Sequence, residues 1–522
     1  MAKNTQERPE GGAKGIYEKL KTDREDYTKR AEDCATVTIP HIFAKEQDDG
    51  STSFSTPNQS VGARGVNNLA SKLLLAMLPP NQPFFRLSLG AEQSQALLAN
   101  PNGQIEEAID YILSTTEQSM MKYMESNLMR PTIGEALKLL VVTGNALLYL
   151  PPKEGGIKCY NLRNYVVQRD GKGDVIQLVA LDVVSLATLE PEIRDALPSS
   201  VNTGGADVEL EKEVEVYTHV YRSLEDEKWY SYVEIEGEVI EALSQEYPLN
   251  ETPWIPLRFN KRDGEHYGRS FVDDYLGDLE SLETLSKAMN DIAMVASKIV
   301  FLVNPSCVTN VRQLAKCQSG DFVRGRQEDI VPLQINKTSD LQITQVQATA
   351  LESRLSYAFL LNSAVQRNGE RVTAEEIRYV AGELEDTLGG VYGLLSQELQ
   401  LPLVKRVFLQ MKSQKLISED IEGLGELEPT ITTGVEALGR GHDLTKLTTA
   451  LQLLAQLGPE ALSAIDMNMV ALRVFSSVGI DVKGIVKSTQ QMQGEAQAQA
   501  EQVGAEAYAQ QAGQNMANQQ MM

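Results

Sequence analysis

Between residues 155 and 262 the apolar pattern of this chain changes period, from the three-to-four-residue spacing of helices to the two-residue alternation of strands. Beyond residue 270 it changes back. Val214–Arg222 alternates through Val214, Val216, Thr218 and Val220, and Trp229–Ile235 alternates likewise, with Glu236-Gly237 as the turn that follows. Lys158–Gln168 and Asp174–Val184 mix β-branched and polar residues around a Gly171-Lys172-Gly173 turn. Residues 198–206 show no periodicity and are expected to be mobile. A strand-rich block set between helical blocks predicts an α+β fold, mainly helical, with the block as a domain of its own.

Helices are predicted on both sides. Ala13–Cys34 repeats Ile16, Leu20, Tyr27 and Ala31 near helical spacing. Val61–Leu78 carries Val66, Leu69, Leu73, Ala76 and Met77 on one face and stops at Pro79-Pro80, which cannot donate helical hydrogen bonds. Gln104–Asn127 and Thr132–Leu148 continue the pattern as far as Pro151-Pro152. Ser270–Ile299 then reads as one helix of roughly 45 Å, a length that predicts packing in a bundle or an assembly. Residues 300–345 are mixed. A further helical region runs from Thr344 toward Gln366, breaks at Arg367-Asn368-Gly369-Glu370-Arg371, and restarts at Thr373, which has capping-box spacing to Glu376. It continues through Leu384, Leu388, Tyr392, Leu395 and Leu399 to Pro402 and on toward Met411. Asp443–Leu457 and Asp466–Val478 are short amphipathic helices. Ser488–Met522 is dominated by Gln and Ala without Lys or Arg, the composition of a disordered tail or of a helix that forms only against neighbours.

Composition narrows the function. A chain of 522 residues can bury a large core and predicts two to four domains. Only 6% of residues are aromatic, too few for a sugar-binding or base-stacking surface. No apolar run reaches the length of a membrane span, and Met1–Gly12 has no apolar signal region. Cys34, Cys159, Cys307 and Cys317 are widely spaced, which fits unpaired thiols in a reducing compartment. The net charge of −24 is opposite to that of a chain that grips nucleic acid with clustered Lys and Arg. Two readings stay open, acidity for solubility and acidity that lets DNA pass without sticking.

A search for catalytic groups finds none. His41, His219, His266 and His442 are scattered outside any metal-binding spacing. Gly479 to Gly484 has phosphate-loop spacing but is followed by Ile485, so the phosphate-reaching Lys is missing. Gly268-Arg269-Ser270 lacks the second Gly of a nucleophile elbow. Asp273, Asp274, Asp278 and Glu280 could bind a divalent ion, serve acid–base chemistry, or form a solvated or lumen-facing surface. The Arg367–Arg371 stretch is either a plain turn between helices or a loop presenting cations at a constriction.

Longer stretches are more specific. VGARGVNNLASKLLLAMLPP (61–80), LVVTGNALLYLP (140–151), NYVVQRD (164–170) and HYGRSFVDDYLGDLESLETL (266–285) occur in order. They are followed by LNSAVQRNGERVTAEEIRYVAGELEDTLGGVYGLLSQELQLPLV (361–404) and GVEALGRGHDL (434–444). Together they resemble the portal proteins, or head–tail connectors, of short-tailed phages with autographivirus-type genomes. The departures lie in residues 185–250 and in the C-terminal tail.

The resemblance implies a portal fold of wing, stem, clip and helical crown or barrel, with about twelve copies closing into a ring. Carried onto this chain it implies wing helices over 1–130, a first stem helix over 131–154, a clip over the β-rich 155–264 and a second stem helix over 265–300. Further wing and a channel helix would occupy 301–430, with a tunnel loop near 367–371 formed by Arg367, Asn368, Gly369 and Arg371. A crown would fill 431–487, and 488–522 would extend the barrel or be disordered. Asp273, Asp274, Asp278, Glu280, Lys287 and Lys298 would lie on the stem helix.

The implied function is a DNA channel at one capsid vertex, used for packaging, tail docking and ejection, in the virion and, during assembly, in the host cytoplasm. The implied partners are further copies of the chain, major capsid and scaffolding proteins, the terminase large subunit, tail adaptor and tail tube proteins, internal core proteins, and duplex DNA held without sequence preference. No enzyme activity, cofactor, metal or membrane is implied. The alternatives are another phage ring or internal core protein, and a nucleic-acid-processing enzyme, against which the missing phosphate loop and metal cluster speak.

Overall fold

Two helices form where the apolar spacing puts them, α1 (Gly12–Thr36) and α2 (Val61–Met77). Val66, Leu69, Leu73, Ala76 and Met77 of α2 are wholly buried, so this helix is a central strut of the core. The computed structural model describes residues 11–361 apart from 46, 49, 81–82, 91–102, 190–192, 195–196, 198–211, 224–225, 298–300 and 333–337, then 380–417 apart from 381 and 385, and 427–431. The chain divides into two compact units, Met1–Val435 and Glu436–Met522, and every described residue belongs to the first. The expected loops at 198–206 and 367–371, the crown helices and the Gln/Ala tail lie outside the described residues.

After α2 come β1 (Phe85–Leu89), α3 (Gly103–Ser126) and α4 (Met129–Thr143). Here the structure corrects the sequence reading. Residues 131–154 are not one helix: α4 stops at Gly144, and Asn145–Tyr149 is strand β2. Gly144 has a φ of 77°, the left-handed conformation that ends helices and that only glycine adopts cheaply. A Cβ there would sit 2.5 Å from the carbonyl carbon of Arg269. Asn145 then locks the exit, its Nδ2 donating to Gly268 O (2.8 Å) and its Oδ1 accepting from Gly268 N (2.7 Å). Ile133, Ala136, Leu137, Leu140, Val141 and Val142 of α4 are all at 0% exposure, which makes α4 a core helix with only its Pro131 and Glu135 side open to solvent.

The strand block follows, as β3 (Lys158–Tyr160), β4 (Tyr165–Arg169), β5 (Val175–Ser185), β6 (Glu213–Ser223), β7 (Lys228–Ile235), β8 (Glu238–Pro248) and β9 (Trp254–Arg258). β4 to β8 make an antiparallel meander in chain order, and β2 is flanked by β3 and β9 in a second sheet. Glu236 and Gly237 both take positive φ, 50° and 85°, the two-residue hairpin turn whose twist matches the strands.

The meander is covered on both faces. Val166, Val179, Tyr217 and Tyr232 pack against Ala13, Ile16, Tyr17 and Leu20 of α1. Tyr165, Val167, Leu178, Ala180 and Val220, which alternate with them, join the main core with α2 and α4. The β-rich block therefore shares its core with the helices, and the boundaries expected at 155 and 264 do not mark a separate domain.

The second long helix also starts later than expected. Residues 265–272 are irregular, Asp273–Tyr275 is a 3₁₀ turn, and α5 runs over Leu276–Ser297. It leads to β10 (Phe301–Val303), a single-turn helix α6 (Val311–Leu314), β11 (Ile330–Pro332) and α7 (Thr338–Ala358), which begins six residues before the expected Thr344. α8 (Gly390–Leu395), a π turn (Ser396–Gln400) and α9 (Leu401–Ser413) return along the core, and β12 (Leu427–Ile431) closes against β1.

Candidate functional site

α5 and α7 form an antiparallel stalk of about 33 Å, given the helical rise per residue. Asp278 at the start of α5 pairs with Arg354 near the end of α7 at 2.5 Å. Leu279, Leu282 and Leu355 are buried at this base, where the rings of Phe271, Tyr275 and Phe359 pack together with centroids 5.1 to 5.9 Å apart. Glu283 accepts from the backbone N–H groups of Asn58 and Gln59 (3.0 and 3.1 Å), which binds the loop before α2 to the side of the stalk.

Away from the base the burial stops. Of seventeen exposed large apolar side chains among the described residues, thirteen fall between Met294 and Tyr357. Val308 is 77% exposed and Phe322 is fully exposed. α7 carries two apolar stripes. Ala348, Leu351 and Leu355 pack inward, whereas Ile343, Val346 and Tyr357, at positions that fall on one face, are open to solvent. Exposed apolar side chains concentrated in this way mark a surface made to be covered.

The join between stalk and body is a polar clamp that the sequence reading missed. Just beyond α7, Leu360 turns the chain with a φ of 55°, and Leu361 N closes back on Ser356 O at 2.8 Å. Asn68 Nδ2 donates to Phe359 O and Leu360 O (3.0 Å each), and Lys72 Nζ donates to Leu360 O (3.1 Å) and pairs with Glu383 at 2.9 Å. Gly65 makes the approach possible, since a Cβ there would lie 2.5 Å from Phe359 Cγ. Polar residues at 68 and 72, on the buried side of the helix beside Leu69 and Leu73, were the available signal.

The expected stem residues do not act as one group. Asp273 and Asp274 stand in the 3₁₀ turn, with Ser270 Oγ accepting from Asp273 N at 2.8 Å. Partial burial, and next the charge of Asp273, push the Asp274 carboxyl up. Asp278 turns to Arg354, while Glu280 and Lys287 are exposed on α5. Lys298, Arg367, Asn368, Gly369 and Arg371 lie outside the described residues. Among the described residues no three His, Cys, Asp or Glu side chains are grouped to hold a metal, and no helix is long and apolar enough to cross a membrane.

Comparison with known proteins is decisive. The family model of the bacteriophage head to tail connecting protein matches residues 10–486. The portal protein of Escherichia phage T7 is 47% identical over 500 residues, covering 95% of this chain and 92% of that one. The portal protein of Enterobacteria phage T3 is 46% identical over 501 residues with the same coverage, and that of Pseudomonas phage phiKMV is 29% identical over 497 residues, covering 93% and 94%. A chain in the neck of an empty GTA particle matches at 12% identity with a TM-score of 0.36, covering 75% of this chain and 87% of that one. This chain belongs to the bacteriophage head-to-tail connecting, or portal, protein family.

Proposed function

We propose that the chain closes into a ring of about twelve copies around an axial channel for duplex DNA at one capsid vertex. The observation that carries this is the exposed apolar surface of the stalk. A monomer with thirteen bare apolar side chains over residues 294–357 gains by covering them with other copies of itself. A ring closed by rotation needs two unlike faces on each subunit, and the outward stripe of α7 and the outer end of α5 supply them.

Within that reading the stem is the pair α5 and α7, and the clip is the small segment between them, residues 301–332, in place of the β-rich block assigned to it by resemblance. The block's double-sided burial suits the body of the wing. The stalk carries Asp278, Glu280, Glu283, Asp291 and Glu352 against Lys287 and Arg354. An acidic wall keeps phosphates from making lasting contacts and lets DNA slide under a motor. Major capsid and scaffolding proteins, the terminase large subunit, tail adaptor and tail tube proteins and internal core proteins are the partners such a role requires. The role is structural, not enzymatic, and belongs to the portal vertex of the virion and to the host cytoplasm during assembly.

Arg367, Asn368, Gly369 and Arg371 remain proposed as the tunnel loop. Replacing both arginines by alanine is expected to leave rings intact and impair DNA retention, and unaltered packaging and retention would remove that role. Native mass spectrometry of the purified chain tests the ring itself. A closed oligomer is expected, and monomers alone at micromolar concentration would overturn the proposal.

A further inference from the structure

The far end of the stalk carries charge of the opposite sign to its shaft. Arg312, Lys316, Arg324 and Arg326 are exposed within fifteen residues, against the exposed Asp321 and Glu328. None of the four forms an ion pair among the described residues. Other arginines are paired, among them Arg163 with Glu32, Arg258 with Glu398, Arg269 with Glu265 and Arg354 with Asp278, and those that are not paired among the described residues, such as Arg64, Arg86 and Arg130, stand far apart in the chain. In a chain of net charge −24 a run of unpaired cations is out of keeping with its surroundings.

The backbone that carries these side chains is fixed at several points. Asp329, buried, accepts from Val308 N and Thr309 N (3.1 Å each) and from Thr309 Oγ1 (2.6 Å). Thr309 Oγ1 in turn accepts from Arg326 N at 3.0 Å. Gly325 lies so close to this knot that a Cβ would be 2.4 Å from Thr309 Oγ1, so the backbone between Arg324 and Arg326 is pinned. Arg312 sits on α6, which Asn310 caps by accepting from Gln313 N at 3.3 Å.

We propose that the tip is a phosphate-binding collar, in which Arg312, Lys316, Arg324 and Arg326 contact the backbone of duplex DNA without reading its bases. This rests on the ring reading above. In a ring each tip stands between two identical tips, so like charges gather in a circle, and a polyanion on the axis is the ligand that every copy can share. The acidic shaft then passes the duplex on, while the collar makes brief, salt-sensitive contacts at the mouth. The apolar residues of the same tip are left for neighbouring copies.

The test uses rings of the full chain, verified by negative stain before any ligand is added, and a short random-sequence duplex followed by fluorescence anisotropy over a salt series. The variant Arg312→Ala/Lys316→Ala/Arg324→Ala/Arg326→Ala is compared with Lys19→Ala/Lys45→Ala/Lys153→Ala/Lys412→Ala, which removes the same charge from exposed lysines elsewhere. The tip variant is expected to lose affinity by about tenfold or more and to show a shallower salt slope, the control neither. A tip variant that forms rings and binds the duplex as wild type does overturns the collar and leaves the ring reading standing. If that variant keeps the duplex but loses binding of poly-glutamate, the tip serves an acidic protein and the collar is equally overturned. Absence of rings in the wild type removes the ring reading and the collar with it.

Discussion

Glu398 reaches Arg258 because the helix between Gly390 and Ser413 takes one π turn, Ser396–Gln400, which adds a residue and rotates Glu398 toward β9. The pair is 2.5 Å long, with the Arg258 side chain 3% exposed. Arg169 lies in the same pocket and donates to Pro256 O and Gly173 O (3.0 Å each), and burial, with the nearby Arg258 guanidinium next, lowers its pKa to about 10. One carboxylate thus offsets two buried cations. Glu398→Ala is expected to cost about 3–5 kcal/mol in urea unfolding, because it strands charges away from water. A cost under about 1 kcal/mol would show that water replaces the carboxylate. His219 is the other buried titratable group with a consequence. Its ring bonds Tyr232 Oη (3.1 Å) and Gln177 Oε1 (3.0 Å), and burial pushes its pKa down to about 4. The unfolded chain binds this proton near pH 6.5 and the folded chain only near 4, so the stabilisation is complete above 6.5 and is lost as pH falls between these values. Roughly 3 kcal/mol is at stake, and a His219→Gln variant should lose that part of the pH slope.

At the scale of elements, Gly144 and Asn145 decide where a helix becomes a strand. Gly144→Ala would force a Cβ into Arg269 and Gly268 at a φ of 77°, and is expected to cost about 3 kcal/mol or more, read as a fall in thermal midpoint. A midpoint within a degree or so of wild type would mean that the turn relaxes freely. This junction also shows how far the sequence could be read. The apolar run from Leu137 to Leu150 fits a buried helix and a buried strand equally well, and only Gly144-Asn145 separates them. α1, α2, α3 and the Glu236-Gly237 hairpin were legible because one face is apolar or one dipeptide fixes the turn. β8 was not, because it is an edge strand with few inward residues. β9 carries Pro256, which argues against a strand from sequence alone. The clamp of Asn68, Lys72 and Glu383 joins residues more than three hundred positions apart, a contact no local pattern announces.

For the whole molecule, resemblance of ordered stretches identified the family. The proposed division into stem and clip rests instead on the exposure of the helices. What marks the stalk is exposure: α4 is apolar and buried, whereas α7 is mixed in composition and keeps Ile343, Val346 and Tyr357 in solvent. That contrast supports a sharp expectation. In a monomer these side chains touch little of the core, so Ile343→Asp/Val346→Asp should leave the melting temperature of the isolated chain nearly unchanged, or raise its solubility. In a ring the same change buries two carboxylates at every interface against an already acidic shaft, and each interface is repeated around the circle. Assembly should therefore fail at concentrations where wild type is fully closed, as read by native mass spectrometry or sedimentation. The control Ala348→Asp, on the inward stripe of the same helix, should instead lower the melting temperature by disturbing the packing of α7 on the body. If the outward variant assembles as well as wild type, subunits meet through some other surface, and the bare stripe of α7 needs a different partner.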